Sequence, residues 1–562
     1  MTRTRTISGV MDVAVTATRG TESAPAARDG SGWRWWLFGT LLLAVAISLA
    51  VWPSHDVIGD DGVTYVSVGL NWIAGRGFTN ALGAVETNAP PLYPLLIGLV
   101  SRLTGDGVLA AKLIALVSGV ALLVPCYALG AMAFRDRRVG VMAAAIMTAL
   151  PLRVFYSVEE MTETPFLLLV LSALALVVWI VDCQPKRVAG WWALSGVLLG
   201  LIYLMRPAGL LFGVCAAVVA VTVRRSEPVM ARVRRRLLPM AVVLALVAAP
   251  YVFFLHRHLG GWSLTGQRWA YAAADEMSAG VPYHHLWRLD DEGRLVVSQA
   301  REIAAESASA QWQRHLRRWT KNALAQGEMI ATAGSPVLLI LLGAAAADAA
   351  RRRWMWSARW LCGVAGVLLV ALPTFFIEPR YYLPLFALLV IVAARGWWVV
   401  AEGSSSRRWI AAALALGLLV YQARDISRDL RWEPTERPIE LKTFGVWMRE
   451  HLADRPGAVL AIKQTTPFYA GMGNLVMPHG SLELLQRYAA ARSMRYLVLA
   501  EREAADYHPE LRALLEQPGD REGLRLVHVD SQLAGFRVAL YEFGKPGLGS
   551  ETYEPALGAG AL

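Results

Sequence analysis

Apolar blocks long enough to cross a bilayer recur from residue 35 to residue 422, and they constrain the fold before any motif does. The runs are 35–52, 106–134, 139–156, 161–182, 190–205, 208–223, 237–255, 333–348, 359–377, 381–400 and 409–422. A hydrocarbon core needs about 20 apolar residues per helix. Inside it each backbone group must find its partner within the segment, so the runs read as helices. The chain is 55% hydrophobic over 562 residues, with a mean hydropathy of +0.40. The excess over soluble domains sits in the blocks. The expected fold class is an α-helical polytopic membrane protein of about eleven transmembrane helices, followed by a small C-terminal α/β domain.

Loop charge sets the orientation. With the N-terminus in the cytoplasm and the spans alternating, the cytoplasmic connections are Arg135–Arg138, Lys186–Arg187, Arg224–Arg236, Arg351–Arg353 and Arg407–Arg408. Each is basic, as the positive-inside rule asks. The formal net charge of +11 is therefore a matter of topology and contact with anionic lipid. No nucleic-acid motif accompanies it. The apolar segment Pro91–Leu103 is short, and counting it as a span would reverse every later loop. It is expected to lie at the outer membrane surface.

Residues 1–32 read as a disordered cytoplasmic tail. The expected membrane domain is 33–422, with a first extracytoplasmic loop at 53–105 and a long one at 256–330. The long loop carries Trp262, Trp269, Tyr271, Tyr283, His284, His285 and Trp287. It reads equally as a substrate lid or an interfacial aromatic belt. After Tyr421 the composition turns polar, with short apolar runs at 458–462, 496–500, 524–529 and 537–543 and helical patterns at 439–452 and 482–491. This predicts an extracytoplasmic α/β domain over 423–545 and a flexible tail at 546–562. Cys126, Cys183, Cys215 and Cys362 show no CxxC or Cys/His spacing, so they point to neither a zinc site nor a redox pair.

The polar chemistry of the membrane half gathers on the side opposite the basic loops. Asp60 and Asp61 are adjacent carboxylates, and their repulsion can raise one into the range of a usable base; Gly-Asp-Asp-Gly is also a common turn. Glu159, Glu160 and Glu163 fall where one span ends and the next begins, and an ionisable group at that depth is a functional candidate by default. Arg206 and Arg380, the latter beside Tyr381 and Tyr382, offer guanidinium forks that match phosphate oxygens, or snorkel as boundary arginines. Adjacent histidines such as His284 and His285 are poor spacing for one metal, and surface or lid residues account for them better. Asp60, Asp61, Glu159 and Glu163 could hold a divalent cation, although no ligand spacing demands one.

Taken in order, these pieces resemble the GT-C superfamily of membrane glycosyltransferases, in the bacterial branch related to protein O-mannosyltransferases and the lipid A aminoarabinose transferase. The matching stretches are DDGVTY (Asp60–Tyr65), GRGF (Gly75–Phe78), APPLYPLL (Ala89–Leu96), MTETPF (Met161–Phe166), LMRP (Leu204–Pro207) and RYYLP (Arg380–Pro384). The C-terminal TTPFYAGMGNLVMPHG from Thr465 and MRYLVLA from Met494 look like the extracytoplasmic domain of bacterial members. Members often carry Lys or His before the Pro-Pro; here Ala89 stands there.

The resemblance implies a polyprenyl-phosphate-sugar-dependent glycosyltransferase of the plasma (inner) membrane. It would move a hexosyl or pentosyl group to a lipid, glycan or protein acceptor on the outer side by a single inverting displacement. Carried over, Asp61 or Asp60 is the base, with Asp61 favoured because Tyr65 follows at a four-residue spacing. Arg206, Arg380 and Tyr381 would bind the donor phosphate; Tyr65, Glu163, Tyr93 and Tyr382 would bind substrate. The alternatives are a non-catalytic polyprenyl-glycan binding protein, a lipid-linked glycan transporter or flippase, and a ligase of preassembled glycans.

Overall fold

The computed structural model describes residues 32–223, 227–267, 273, 276–277, 281–297, 308–375, 377–430, 437–533 and 535–544. The tail 546–562, all but the last residue of the tail 1–32, and Trp269 and Tyr271 of the long loop lie outside the described residues.

Among the described residues, eight helices are long and apolar enough to cross a membrane: Gly32–His55, Gly107–Phe134, Glu163–Cys183, Val188–Met205, Val229–Leu259, Trp356–Thr374, Pro379–Ala401 and Ser405–Arg428. A ninth arises if Trp312–Gly334 and Pro336–Arg351 count as one, but they meet at 103°. The turn falls at Ser335, in a positive-φ conformation (φ 72°) just before Pro336, where its hydroxyl accepts from the Leu338 amide. The expectation of eleven full spans is therefore revised. The run 139–156 is two helices, Arg137–Ala149 and Pro151–Tyr156, broken at Leu150 (ψ 118°), because proline excludes the helical region for the residue before it. The run 208–223 is a short apolar helix within Pro207–Thr222.

One continuous hydrophobic core runs through the helices from Leu37 to Leu418. Side-chain contacts sort the helix ends into two faces. On one, Phe134 packs edge-on against Trp354 at 5.1 Å, Trp356 donates to Asp182 at 2.7 Å, and Arg138 sits 4.8 Å over the Trp398 ring. These ends carry the basic connections. The other face carries the first loop.

That loop opens with a turn at Trp52–His55 and holds two helices, Asp60–Ile73 and Leu92–Thr104. Asp60 and Asp61 occupy the first turn of the former, where the positive end of the helix dipole favours carboxylates. The latter ends at Gly105, whose φ of 74° suits glycine. The two helices touch backbone to backbone at Gly69 and Gly98. A Cβ on Gly69 would fall 2.5 Å from the Pro94 carbonyl oxygen, and one on Gly98 2.6 Å from that of Gly69.

Within the long segment after Leu259, β1 (Trp287–Leu289) and β2 (Leu295–Val297) form an antiparallel hairpin. The C-terminal region is a five-stranded sheet in the order β4-β3-β5-β7-β6, with β3 (Ala458–Ala461), β4 (Asn474–Val476), β5 (Met494–Ala500), β6 (Leu524–Leu533) and β7 (Phe536–Phe543). β3 pairs in parallel with β4 and β5, and β7 runs antiparallel to β5 and β6. The predicted helices appear at Ile439–His451 and Leu482–Ala491; β4, only three residues long, had no sequence counterpart. Alternate residues of β5 feed two cores, with Leu497 and Leu499 in one and Tyr496, Val498 and Ala500 in the other, as a strand covered on both faces requires.

Candidate active site

Four separate pieces of chain meet where the first loop covers the helix ends. Asp61 comes from the first turn of the Asp60–Ile73 helix, Glu163 from the first turn of the Glu163–Cys183 helix, Arg206 from the break before Pro207, and Arg380 from the turn Pro379–Tyr382. Arg380 Nη1 lies 2.5 Å from Asp61 Oδ2. Arg206 Nη2 pairs with Glu163 Oε1, and its Nε donates to Thr162 Oγ1 at 2.7 Å. The Tyr381 ring lies beside both guanidiniums, 5.6 Å from Arg206 and 5.2 Å from Arg380. Cation–π attraction holds both cations beside one ring despite their like charge.

Exposure separates the roles of these groups. The Glu163 side chain is fully buried (0% exposed), so it anchors Arg206 from below. Its second oxygen, Oε2, has no hydrogen-bond partner among the described residues. Asp61 is 49% exposed and open to solvent. Tyr65 lies in the field of Asp61, Arg206, Glu163 and Arg380, and burial drives its hydroxyl well above the ordinary tyrosine range. Its ring stands edge-on to Tyr93 at 5.3 Å. Tyr93 itself is fully buried and donates to the Ala111 carbonyl at 3.3 Å, which places it beneath Tyr65 as a support. Tyr382 is also fully buried, and its hydroxyl has no hydrogen-bond partner among the described residues.

The adjacent aspartates part company. Asp60 Oδ1 accepts the backbone N–H of Gln464, in the C-terminal region, at 2.8 Å. Burial pushes its carboxyl up to about 6, against the pull of that amide and of Lys463. Around it, Gln464 Nε2 donates to Thr64 (3.3 Å), Thr465 to the Ile58 carbonyl (3.1 Å), and Lys442 pairs with Asp56 at 2.5 Å. Asp60 thus belongs to the joint between the first loop and the C-terminal sheet, and Asp61 to the arginine cluster.

Several polar groups here were not singled out by sequence. Lys112 is buried; it donates to the His55 carbonyl and lies 3.5 Å from Glu160. Burial pushes Glu160 up to about 7 even so. His55 Nε2 in turn is 3.4 Å from Glu159. A lysine inside the apolar run 106–134 was the available signal. Glu86, also buried, accepts the amides of Asn88 (2.7 Å) and Ala89 (3.3 Å) and so shapes the approach to Pro90-Pro91. Asp60, Asp61, Glu159 and Glu163 each turn to a different partner and do not converge on one point. A cavity of about 320 Å³ lined by Trp52, Asp56, Val57, Arg437 and Ile439 lies at the seam with the C-terminal region, apart from the arginine cluster.

Residues 88–254 match the family model described as dolichyl-phosphate-mannose-protein mannosyltransferase. That stretch contains Glu163 and Arg206 but neither Asp61 nor Arg380. Among curated proteins, none matches the chain. Among solved structures, the oligosaccharyltransferase of Archaeoglobus fulgidus, determined with zinc and sulfate, aligns with a TM-score of 0.57 at 14% identity, covering 82% of this chain and 67% of that one. ArnT from Cupriavidus metallidurans in its apo state aligns at 0.55 and 14% identity, covering 90% of this chain and 98% of that one. The same protein bound to undecaprenyl phosphate gives 0.55 at 13% identity, covering 91% and 98%. At these identities the likeness is one of fold. It bears out the GT-C resemblance read from the motifs, and the chain is a polytopic helical membrane protein of that fold.

Proposed function

We propose that this chain transfers a sugar from a polyprenyl-phosphate carrier to an acceptor on the extracytoplasmic side of the membrane. The observation that carries the reading is the Asp61–Arg380–Tyr381–Arg206–Glu163 cluster, a half-exposed carboxylate beside two cations at the ends of the helices. The family match and the fold shared with a protein crystallised with undecaprenyl phosphate support the donor class.

In this reading the carrier's chains lie along the helices and its phosphate takes the place between Arg206 and Arg380, where charge-assisted hydrogen bonds are strongest. Asp61 removes the proton of the acceptor's attacking group as that group bonds to the anomeric carbon. The bond from that carbon to the phosphate oxygen breaks on the opposite face. The electron pair stays on the polyprenyl phosphate, whose added charge the two guanidiniums stabilise more than they stabilise the donor, which is the condition for catalysis. One displacement inverts the anomeric centre. Glu163 keeps Arg206 in place, and Asp60 holds the C-terminal domain over the loop.

The test is a panel of labelled polyprenyl-phosphate sugars, with preassembled lipid-linked oligosaccharides included, offered to the protein in nanodiscs with crude envelope acceptors. At least one monosaccharide donor is expected to release free polyprenyl phosphate, and Arg206→Gln to raise the apparent KM for it about 10–100-fold. Saturable donor binding without release by the wild type would instead make the chain a binding protein. Release from the oligosaccharide donors alone would make it a glycan ligase.

A further inference from the structure

The C-terminal region holds a second constellation, away from the arginine cluster. His479, His508 and Glu510 each present a ligand atom within 4.8 Å of the others. Glu510 Oε1 is 2.8 Å from His508 Nδ1 and 3.5 Å from His479 Nδ1. In a tetrahedral zinc site with ligands at about 2.0–2.1 Å, neighbouring donor atoms stand roughly 3.3 Å apart. The two observed spacings lie on either side of that value. His508 is 2% exposed, while His479 and Glu510 keep 28% and 31% of their side chains exposed, so an ion there would rest on a buried ligand and be reached from solvent past the other two. Two imidazoles and one carboxylate are the borderline donor set that zinc prefers, and they leave its fourth position for water.

The surroundings say what such an ion would do. His479 follows β4, and its backbone is paired with the β1–β2 hairpin of the long segment between the spans. Leu289 N–H donates to the His479 carbonyl at 2.9 Å, and His479 N–H to the Trp287 carbonyl at 2.7 Å. The ring of His285, just before the hairpin, stacks on His479 with centroids 4.0 Å apart. His508 and Glu510 come from the turn after the Glu501–Tyr507 helix. An ion at the three side chains would tie that turn to the segment on which the hairpin is built.

We propose that His479, His508 and Glu510 form a zinc site that fastens the β1–β2 hairpin to the C-terminal sheet. The spacing along the chain gave no sign of it, since the ligands come from two segments and His285 from a third. The site is independent of the transfer chemistry, because none of its residues belongs to the Asp61 cluster.

Full-length protein without a polyhistidine tag, stripped with a chelator, would be titrated with cobalt(II) as a spectroscopic stand-in and then with zinc. The wild type is expected to take up one equivalent with the intense visible band of a tetrahedral ion, and zinc to displace it. His508→Ala and Glu510→Gln should each weaken that uptake about 100-fold or more, while Asp61→Asn retains it. Zinc should also slow proteolysis of the hairpin in the wild type and not in Glu510→Gln. A wild type that shows no tetrahedral band, or a band that survives in Glu510→Gln, would overturn the assignment. Because the wild-type titration decides by itself, a variant that fails to fold does not rescue the proposal.

Discussion

At the scale of single residues, the acidic pair is the most instructive feature. DDG shows that two carboxylates stand at the start of a loop helix, yet nothing local says which faces the chemistry. The answer depends on Gln464, 404 residues later in the chain, and on Arg380, 319 residues later. Partners at that distance are set by packing and cannot be read from spacing. The division has a consequence for pH. Asp60 has its carboxyl raised by burial from 3.8 to about 6, so the folded state binds its proton more tightly than the unfolded chain. Its contribution to stability is fully present below about pH 4 and is lost as pH rises through about 6. Asp60→Asn removes that loss while keeping an oxygen for the Gln464 amide. The variant should therefore gain stability over the wild type, by about 2 kcal/mol at most, when melting temperatures are compared at pH 7 and at pH 4.5, and it should keep its turnover. An unchanged difference between the two pH values would refute this account of Asp60.

At the scale of elements, the length of the apolar runs made the helices legible, because a bilayer core imposes a minimum on any span. Prolines then broke that simple reading at Leu150–Pro151 and at Ser335–Pro336. Where Pro91–Leu103 is expected to lie along the membrane surface, a helix forms over Leu92–Thr104; its Gly98–Gly69 contact with the helix that carries Asp61 has no sequence signature, since nothing in the spacing of Gly62, Gly69 and Gly98 pairs the two helices. That contact fixes where Asp61 and Tyr65 stand. Gly69→Ala would force a methyl group to within 2.5 Å of the Pro94 carbonyl oxygen, which backbone cannot yield cheaply. The expected result is a stability loss of about 1–3 kcal/mol together with a fall in kcat that exceeds any rise in donor KM. Wild-type kcat in a thermally destabilised Gly69→Ala protein would show that the helix pair does not set the site.

At the scale of the whole molecule, the basic connections and the arginine cluster occupy opposite ends of the helices. The C-terminal sheet is joined to the cluster's end through Asp60–Gln464, Asp56–Lys442 and Ile58–Thr465. Loop charge in the sequence anticipated this polarity, because orientation follows lysine and arginine counts in short loops. The docking of the sheet onto the first loop had no sequence signal, being a match of surfaces far apart in the chain. If the basic end is cytoplasmic, a cysteine at exposed Gln517, in a chain freed of its native cysteines, should react in intact cells with a membrane-impermeant maleimide. One at exposed Arg408 should react only after permeabilisation. The reverse pattern would invert the topology and place the proposed chemistry in the cytoplasm.

The most direct test of the central claim compares single-turnover release of polyprenyl phosphate by the wild type, Asp61→Asn and Asp60→Asn, with donor binding measured alongside. Asp61→Asn is predicted to lose turnover by at least about 100-fold while binding donor, and Asp60→Asn to stay within a few-fold of the wild type. Turnover that survives in Asp61→Asn, or that disappears in Asp60→Asn alone, would contradict the assignment of Asp61 as the base.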